Sequence, residues 1–379
     1  MKILSHCSPV FSRHLRYHLS MKDLHQEITS TILALAKQEA DSSSIKKTHP
    51  IQRPISGLYL KDQFLGLFYH QHQTNAAFRN YCQCDQLHVP LECHEIEAIP
   101  ALATDAFKIS PNPTSLATDK ITTTFLTSGT TTETKGSHHF SSLGINTYDT
   151  SIIAGWKHCQ LPKLHQTLIL TPSETEAPHS SLSHMMETIK RELAPSATFI
   201  LSDGKLDHQA IIKSAKNGSP LTLLGTALAF LQLFDTLETL PPILLPPGSW
   251  ALETGGYKGT NRSFTKDQLY QKFQTHLGIS ADQIWNEYSM TELSSQFYTR
   301  GIGNPHIAPP WTRIKVINPE TDLPVIPGEI GYLVIYDLAN IDSVMGIRTQ
   351  DLAIFHDSQS FTLIGRDPSA LPRGCSRSL

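Results

Sequence analysis

Cysteine is scarce in this chain. Six residues, at positions 7, 82, 84, 93, 159 and 375, are spread irregularly over 379 positions. That spacing is unlike a disulfide framework and points to a reducing compartment, so a cytoplasmic location is expected. Charge is also sparse: 17% of residues are Asp, Glu, Lys or Arg, against about 25% in ordinary domains. Lys+Arg (31) nearly balance Asp+Glu (34), the net charge is −3, and there is no basic block. A general nucleic-acid backbone binder is therefore not expected. Long apolar runs are missing too. A long uncharged stretch, Ser219 to Phe234, contains Pro220 and Gly225 and falls short of the roughly 20 apolar residues of a spanning helix. The first residues, Met1 to Pro9, have no apolar core of signal-peptide length. Low net charge with 39% hydrophobic residues describes a chain that folds, with length enough for two or three domains.

Periodicity gives the organisation. Leu24, Ile28, Ile32 and Leu35 fall on one helical face, and Ser20 to Asp23 has capping-box spacing. A second helical stretch is predicted over 62–81. From about residue 120 the rhythm becomes strand, loop, helix. Strands are predicted at 121–126, 167–170, 197–201 and 221–224, and helices at 143–156, 180–193, 208–214 and 227–237. Such alternation indicates βαβ units around a parallel or mixed sheet. After about Pro305 strands follow one another directly, at 314–317, 332–336 and 361–364. The expected organisation is a helical preface over 1–110, an α/β core over 111–304 and a β-rich segment over 305–379.

The segment with most chemical content is Thr127-Ser128-Gly129-Thr130-Thr131-Thr132-Glu133-Thr134-Lys135-Gly136, directly after a predicted strand. Small hydroxyl residues and glycine let backbone amides and hydroxyls converge on phosphate oxygens, and a lysine adds positive charge. It lacks Walker A spacing, and read alone it is equally well a Thr-rich surface loop. Three further segments are Glu253-Thr254-Gly255-Gly256, Asn286-Glu287-Tyr288-Ser289-Met290-Thr291-Glu292 and Arg348-Thr349-Gln350-Asp351. A fifth is Gly365-Arg366. Alone, the glycine pair could be a tight turn, and Thr291-Glu292 could cap a helix running into Leu293. His138 and His139 follow the first loop and read as solvated surface histidines. The Cys82, Cys84 and Cys93 spacing is not that of a usual zinc site.

In this order the five segments resemble the adenylate-forming superfamily of acyl-CoA ligases, luciferases and nonribosomal adenylation domains. Thr132, Thr134, Ser289 and Gln350 depart from its usual glycine or proline. Residues 99–108, the Glu253 to Gly256 segment and the ending Gly365-Arg366 to Arg373-Gly374-Cys375-Ser376 are similar to the acyl-protein synthetases of bacterial luminescence (the LuxE type). The resemblance implies an adenylate-forming large-domain α/β fold. The chain runs to Leu379, shortly after Arg366, so the mobile C-terminal lid of larger members is expected to be absent. ATP and Mg²⁺ are the implied cofactors. Thr127, Ser128, Gly129, Thr130, Thr131, Thr132, Gly255, Gly256, Tyr288, Thr291, Asp351 and Arg366 would contact ATP or AMP. Lys135 would be catalytic, and Glu292 would hold the metal.

The implied reaction activates a carboxylic acid, of the fatty class, as acyl-AMP. The acyl group would then pass to Cys375 and onward to a partner such as an acyl reductase. Arg373 and Arg377 would favour the Cys375 thiolate. Two alternatives stay open: delivery of the acyl group to CoA or a carrier protein, and a non-catalytic descendant that only binds nucleotide or a partner.

Overall fold

The computed structural model describes residues 20–42, 57–83, 95–127, 135–255 and 264–367. Helix α1 (Met21–Ser42) starts where expected, with the Ser20 hydroxyl accepting the Asp23 amide at 3.2 Å. Its Leu24, Ile28, Ile32 and Leu35 are buried along one face. The predicted second helix is interrupted. It divides into α2 (Gly57–Thr74) and α3 (Ala76–Cys82) at Asn75, whose side chain accepts the Phe78 amide at 3.0 Å and caps the new helix. An asparagine favours a cap over a helix interior because its side chain competes for nearby backbone groups.

Strands β1 (Leu102–Ala103), β2 (Thr123–Leu126) and β3 (Ser137–Phe140) precede α4 (Ser142–His158). The βα alternation then runs β4 (Gln166–Leu170) and α5 (Ser181–Leu193). The strand expected over 197–201 is instead β5 (Thr198–Phe199) followed by β6 (Leu201–Ser202). The break arises because β6 turns at Asp203-Gly204, both at positive φ, into a hairpin with β7 (Lys205–Leu206). There follow α6 (His208–Ala215), β8 (Leu221–Thr226), α7 (Ala227–Leu237), β9 (Trp250–Thr254), α8 (Lys266–Leu277) and β10 (Ile284–Tyr288). The last stretch is β11 (Phe297–Arg300), β12 (His306–Ile307), β13 (Thr312–Ile317), β14 (Ile330–Asp337), β15 (Gly346–Asp357) and β16 (Ser360–Arg366).

Among the described residues, twelve strands form one sheet. Strands β5, β4, β8, β9 and β10 run parallel in that order. From β10 to β11 the pairing turns antiparallel and stays so through β12, β16, β15, β14 and β13. The parallel half has helices over it, so β8 is buried on both faces from Leu221 to Gly225, with Leu221, Leu223 and Leu224 in its core. The uncharged run from Ser219 to Phe234 is thus a core strand and helix. Each fully buried Leu or Phe in it contributes about 1.5–3 kcal/mol.

A buried polar hub joins the helical preface to the rest. The Asp342 carboxylate, 2% exposed, accepts His25 Nε2 at 2.9 Å on one oxygen. On the other it accepts the Ser141 amide and hydroxyl at 2.7 and 2.8 Å, at the N-terminus of α4. Burial would raise the Asp342 pKa, but the His25 and Ser141 bonds outweigh it and hold the carboxyl below its ordinary value. Gly144 must lack a side chain here, because a Cβ would lie 1.9 Å from the Asp342 Oδ2 atom. Removing one partner of a buried pair strands the other. Asp342→Ala should therefore cost about 3 kcal/mol in urea unfolding; a loss below about 1 kcal/mol would remove Asp342 from this role.

Candidate active site

The parallel strands β4, β8, β9 and β10 end at Leu170, Thr226, Thr254 and Tyr288 on one side of the sheet. Crevices outside the carboxyl ends of parallel strands are where open α/β sheets bind ligands. A cavity of about 290 Å³ lies there, with Leu170, Thr171 and Thr226 in its wall. Thr127, Lys135 and Thr291 also line it, so two sequence-distant segments meet at one space. Its remaining wall is largely apolar and includes Leu126, Leu182, Leu201 and Leu228. A second cavity of about 30 Å³, roughly the room of one water, shares Ser181, Leu182 and Thr226 with it and reaches Thr254, Gly255 and Ser289.

The two ends of the Ser/Gly/Thr loop are stapled together. The Thr127 amide donates to the Gly136 carbonyl and the Gly136 amide to the Thr127 hydroxyl, both at 2.8 Å. A Cβ on Gly136 would come within 2.9 Å of that hydroxyl oxygen, so the staple requires glycine. Ser128, Gly129, Thr130, Thr131 and Thr132 lie outside the described residues, as do Gly256 and Cys375. So do Cys84 and Cys93.

A second group gathers at the other side of the β10 end. The Tyr288 hydroxyl donates to Asp351 Oδ2 at 2.8 Å. Asp351 on β15 stands opposite Arg366 on β16, and Arg366 donates to the Gln350 side-chain oxygen at 2.7 Å. Tyr288, Asp351 and Arg366 are therefore neighbours, three residues along the chain from the cavity-lining Thr291. The Thr291-Glu292 pair caps no helix. It sits in a turn whose Leu293 amide donates to the Met290 carbonyl. Glu292 is 4% exposed, and its carbonyl accepts Asn340 Nδ2 at 2.8 Å.

His138 is not a surface residue. It is 1% exposed, packed edge-on against Phe107, and Nδ1 donates to the Thr291 carbonyl at 2.7 Å. Its burial follows from the β-strand alternation of β3, which turns His138 and Phe140 inward. It thereby ties β3 to the Thr291 turn. Sequence reading also passed over the 171–183 segment, which supplies much of the cavity wall. A signal was present: Ser180, Ser181 and Ser183 open a helix just past a strand end, where small hydroxyl side chains leave room for a ligand. A third omission is the buried set behind Tyr288. There Asn286 donates to Glu253 at 2.8 Å and accepts His306 Nε2 at 2.8 Å.

The fold of this sheet is shared with solved structures of a CoA ligase. The solved structure of an open conformation of 2-hydroxyisobutyryl-CoA ligase, with 2-HIB-AMP and CoA, shares the fold at a TM-score of 0.61 and 12% identity. The match covers 87% of this chain and 82% of that one. The same ligase in its postadenylation state gives 0.62, over 86% of this chain and 74% of that one. The profile of the LuxE acyl-protein synthetase family matches residues 35–379, and the chain belongs to that family of acyl ligases. Curated relatives include the long-chain-fatty-acid–luciferin-component ligase of Aliivibrio fischeri, 26% identical over 300 residues and 76% of each chain. The protein of the same name from Vibrio harveyi is 20% identical over 332 residues, covering 83% of this chain and 85% of that one. Among the described residues no helix is long and apolar enough to cross a membrane.

The buried groups around the site set a pH dependence. Burial holds His138 at about 4 and His306 at about 3, both below the ordinary 6.5. Unfolding therefore takes up a proton at each as pH falls below 6.5, and stability is lost. Burial pushes Asp337 up from 3.8 to about 6, so below pH 6 unfolding releases a proton there and stability is gained. Between pH 6 and 4 these three groups together take up about one proton on unfolding, so their sum lowers stability as pH falls. His138→Phe should make the fall in stability with decreasing pH shallower, by about one proton per molecule unfolded, in urea titrations between pH 6 and 4.5. An unchanged slope would contradict the buried neutral histidine.

Proposed function

We propose that this acyl ligase uses ATP and Mg²⁺ to activate a fatty acid as acyl-AMP and then transfers the acyl group through Cys375. The observation that carries the reading is the meeting of Thr127, Lys135 and Thr291 at one cavity whose wall also holds several leucines. Charged and hydroxyl groups suit phosphate and carboxylate, while leucines suit an alkyl chain. The names of the curated relatives, long-chain-fatty-acid–luciferin-component ligases, support the substrate class.

In the first step a carboxylate oxygen of the acid attacks the ATP α-phosphorus. The bond from that phosphorus to the β-phosphate bridging oxygen breaks, and pyrophosphate leaves. Lys135 and the hydroxyls and amides of Ser128 to Thr132 would neutralise charge as it moves onto the phosphates. Thr291 would hydrogen-bond the α-phosphate. Asp351, oriented by the Tyr288 hydroxyl, would accept the ribose hydroxyls with Arg366 beside it, and Gly255 and Gly256 would border the base with Tyr288. Among the described residues no cluster of three or more acidic, His or Cys side chains forms a metal cage. Mg²⁺ is usually held by one or two carboxylates plus substrate phosphates, and Glu292, next to Thr291, would be the carboxylate. When bound, the ion would supply charge neutralisation at the phosphates.

In the second step the Cys375 thiolate attacks the acyl carbonyl carbon, the bond to the AMP oxygen breaks, and a thioester forms. From it an acyl-acceptor or acyl-reductase partner would take the acyl group.

ATP–pyrophosphate exchange across a panel of alkanoic acids tests the first step. Exchange should appear with one or more acids and fall about 100-fold in Lys135→Ala, as removal of one preset charge-stabilising group does elsewhere. Absence of exchange with every acid at saturating ATP and Mg²⁺ would overturn the reading. Labelled acid should leave hydroxylamine-sensitive label on the wild type and none on Cys375→Ser; persisting label would remove Cys375 as acceptor.

A further inference from the structure

His184 makes two short charged contacts and belongs to none of the recognised segments. It is 7% exposed, one residue beyond the cavity-lining Ser183. Its Nε2 lies 2.7 Å from Asp149 Oδ1 on α4, and its Nδ1 lies 2.7 Å from Glu174 Oε1 on the segment between β4 and α5. The ring stacks on Tyr148 at 5.7 Å between centroids and contacts Phe125 of β2 at 5.2 Å. Asp149 is itself held by Thr188 at 3.1 Å and by Arg191 at 2.8 Å.

A neutral imidazole has one N–H and one lone pair. With a carboxylate at hydrogen-bond distance from each nitrogen, a neutral ring would point a lone pair at an anionic oxygen. Only the imidazolium satisfies both contacts. Burial opposes the charge, but the bonds and charges of Asp149 and Glu174 outweigh it and hold the pKa above the ordinary histidine value. The groups facing the ring are Asp149 and Tyr148 from α4, Glu174 from the 171–180 segment, and Phe125 from β2. Arg191 of its own helix reaches it through Asp149.

The 171–180 segment carries Thr171, Pro172, Ala177 and Pro178 of the cavity wall, and Glu174 lies in its middle. Its far end is fastened to β2, where the Leu126 amide donates to the His179 carbonyl at 2.9 Å. Other ties close the segment on itself or on an exposed hairpin: Ser173 with Glu176, and Ser202 with Glu176. The Glu174–His184 contact joins its first half to α5 and, through Asp149, to α4.

We propose that His184 is a positioning residue of the cavity: its imidazolium, gripped by Asp149 and Glu174, clamps the 171–180 segment in place, and loss of its proton releases that wall. The geometry of the clamp stands by itself; its effect on acid binding rests on the function proposed above. The sign follows from the raised pKa. The clamp is complete below the ordinary histidine value and is lost as pH rises through the raised one.

The test is amide hydrogen exchange of residues 171–180 in the full chain from pH 6 to 9, corrected for intrinsic rates, beside an NMR titration of His184. Protection should fall about tenfold as the His184 resonance titrates. Glu174→Gln keeps the size of the side chain but removes a charge, and it should move both midpoints down together by about one pH unit. His184→Gln should lack the pH-dependent step. In ATP–pyrophosphate exchange it should raise KM for the acid about tenfold with kcat within about twofold, a loss of ground-state binding. Protection that does not change through the His184 titration, or a midpoint unmoved in Glu174→Gln, overturns the clamp. If no acid supports exchange, the acyl-activation reading fails, and hydrogen exchange and NMR still decide the clamp.

Discussion

The fold depends on a band of buried polar groups over residues 337–345. Asp337 accepts the Ser294 amide at 3.0 Å and the Ser295 hydroxyl at 2.8 Å. Asn340 donates to the Glu292 carbonyl at 2.8 Å and accepts the Ser294 hydroxyl at 2.6 Å. Gln71 of α2 donates to the Asn340 carbonyl and accepts the Met345 amide. With Asp342 on His25 and Ser141, one short segment holds the helical preface, the start of α4 and the turn after Thr291. Buried polar groups are costly unless satisfied, and here each bond specifies a single arrangement. The Thr291 turn, approached on its other side by His138, has little freedom to move.

That rigidity explains how a site can be assembled from distant pieces. The sheet changes from parallel to antiparallel at β10, so β10 has α/β layers on one side and antiparallel strands on the other. Its carboxyl end is therefore where the Thr127 loop, the 171–183 segment and the β15–β16 pair can all approach. Thr291 and Tyr288 are close in sequence yet face different neighbours, the cavity for one and Asp351 for the other. The proposed chemistry divides along the same line, with phosphates and acid on one side and ribose on the other.

Much of the fold was legible. Helices α1, α4, α5 and α7 and strands β4 and β8 lie where periodicity put them, because amphipathic helices and a doubly buried strand leave strong patterns. The break at Asn75 and the β5–β6 division were not legible, since each is decided by one capping side chain or one hairpin turn. Of the residues named from the motif order, Thr127, Lys135 and Thr291 line one cavity, and Tyr288, Asp351 and Arg366 lie beside one another. His138 was misjudged because a dipeptide of histidines does not announce which one a strand turns inward. His184 left no mark at all, since its partners are 35 and 10 residues away in sequence.

The chain's own residues therefore determined its class and family. Scarce cysteine, balanced charge and five short segments in one order are local properties, readable without a fold. Tertiary structure decided what those segments do together: which hydroxyls share a cavity with Lys135, which histidine is buried and neutral, and which is caught between two carboxylates. The physical reason is that pairing, desolvation and cavity shape depend on distances between residues far apart in the chain. Such distances exist only once the sheet has set its strand order.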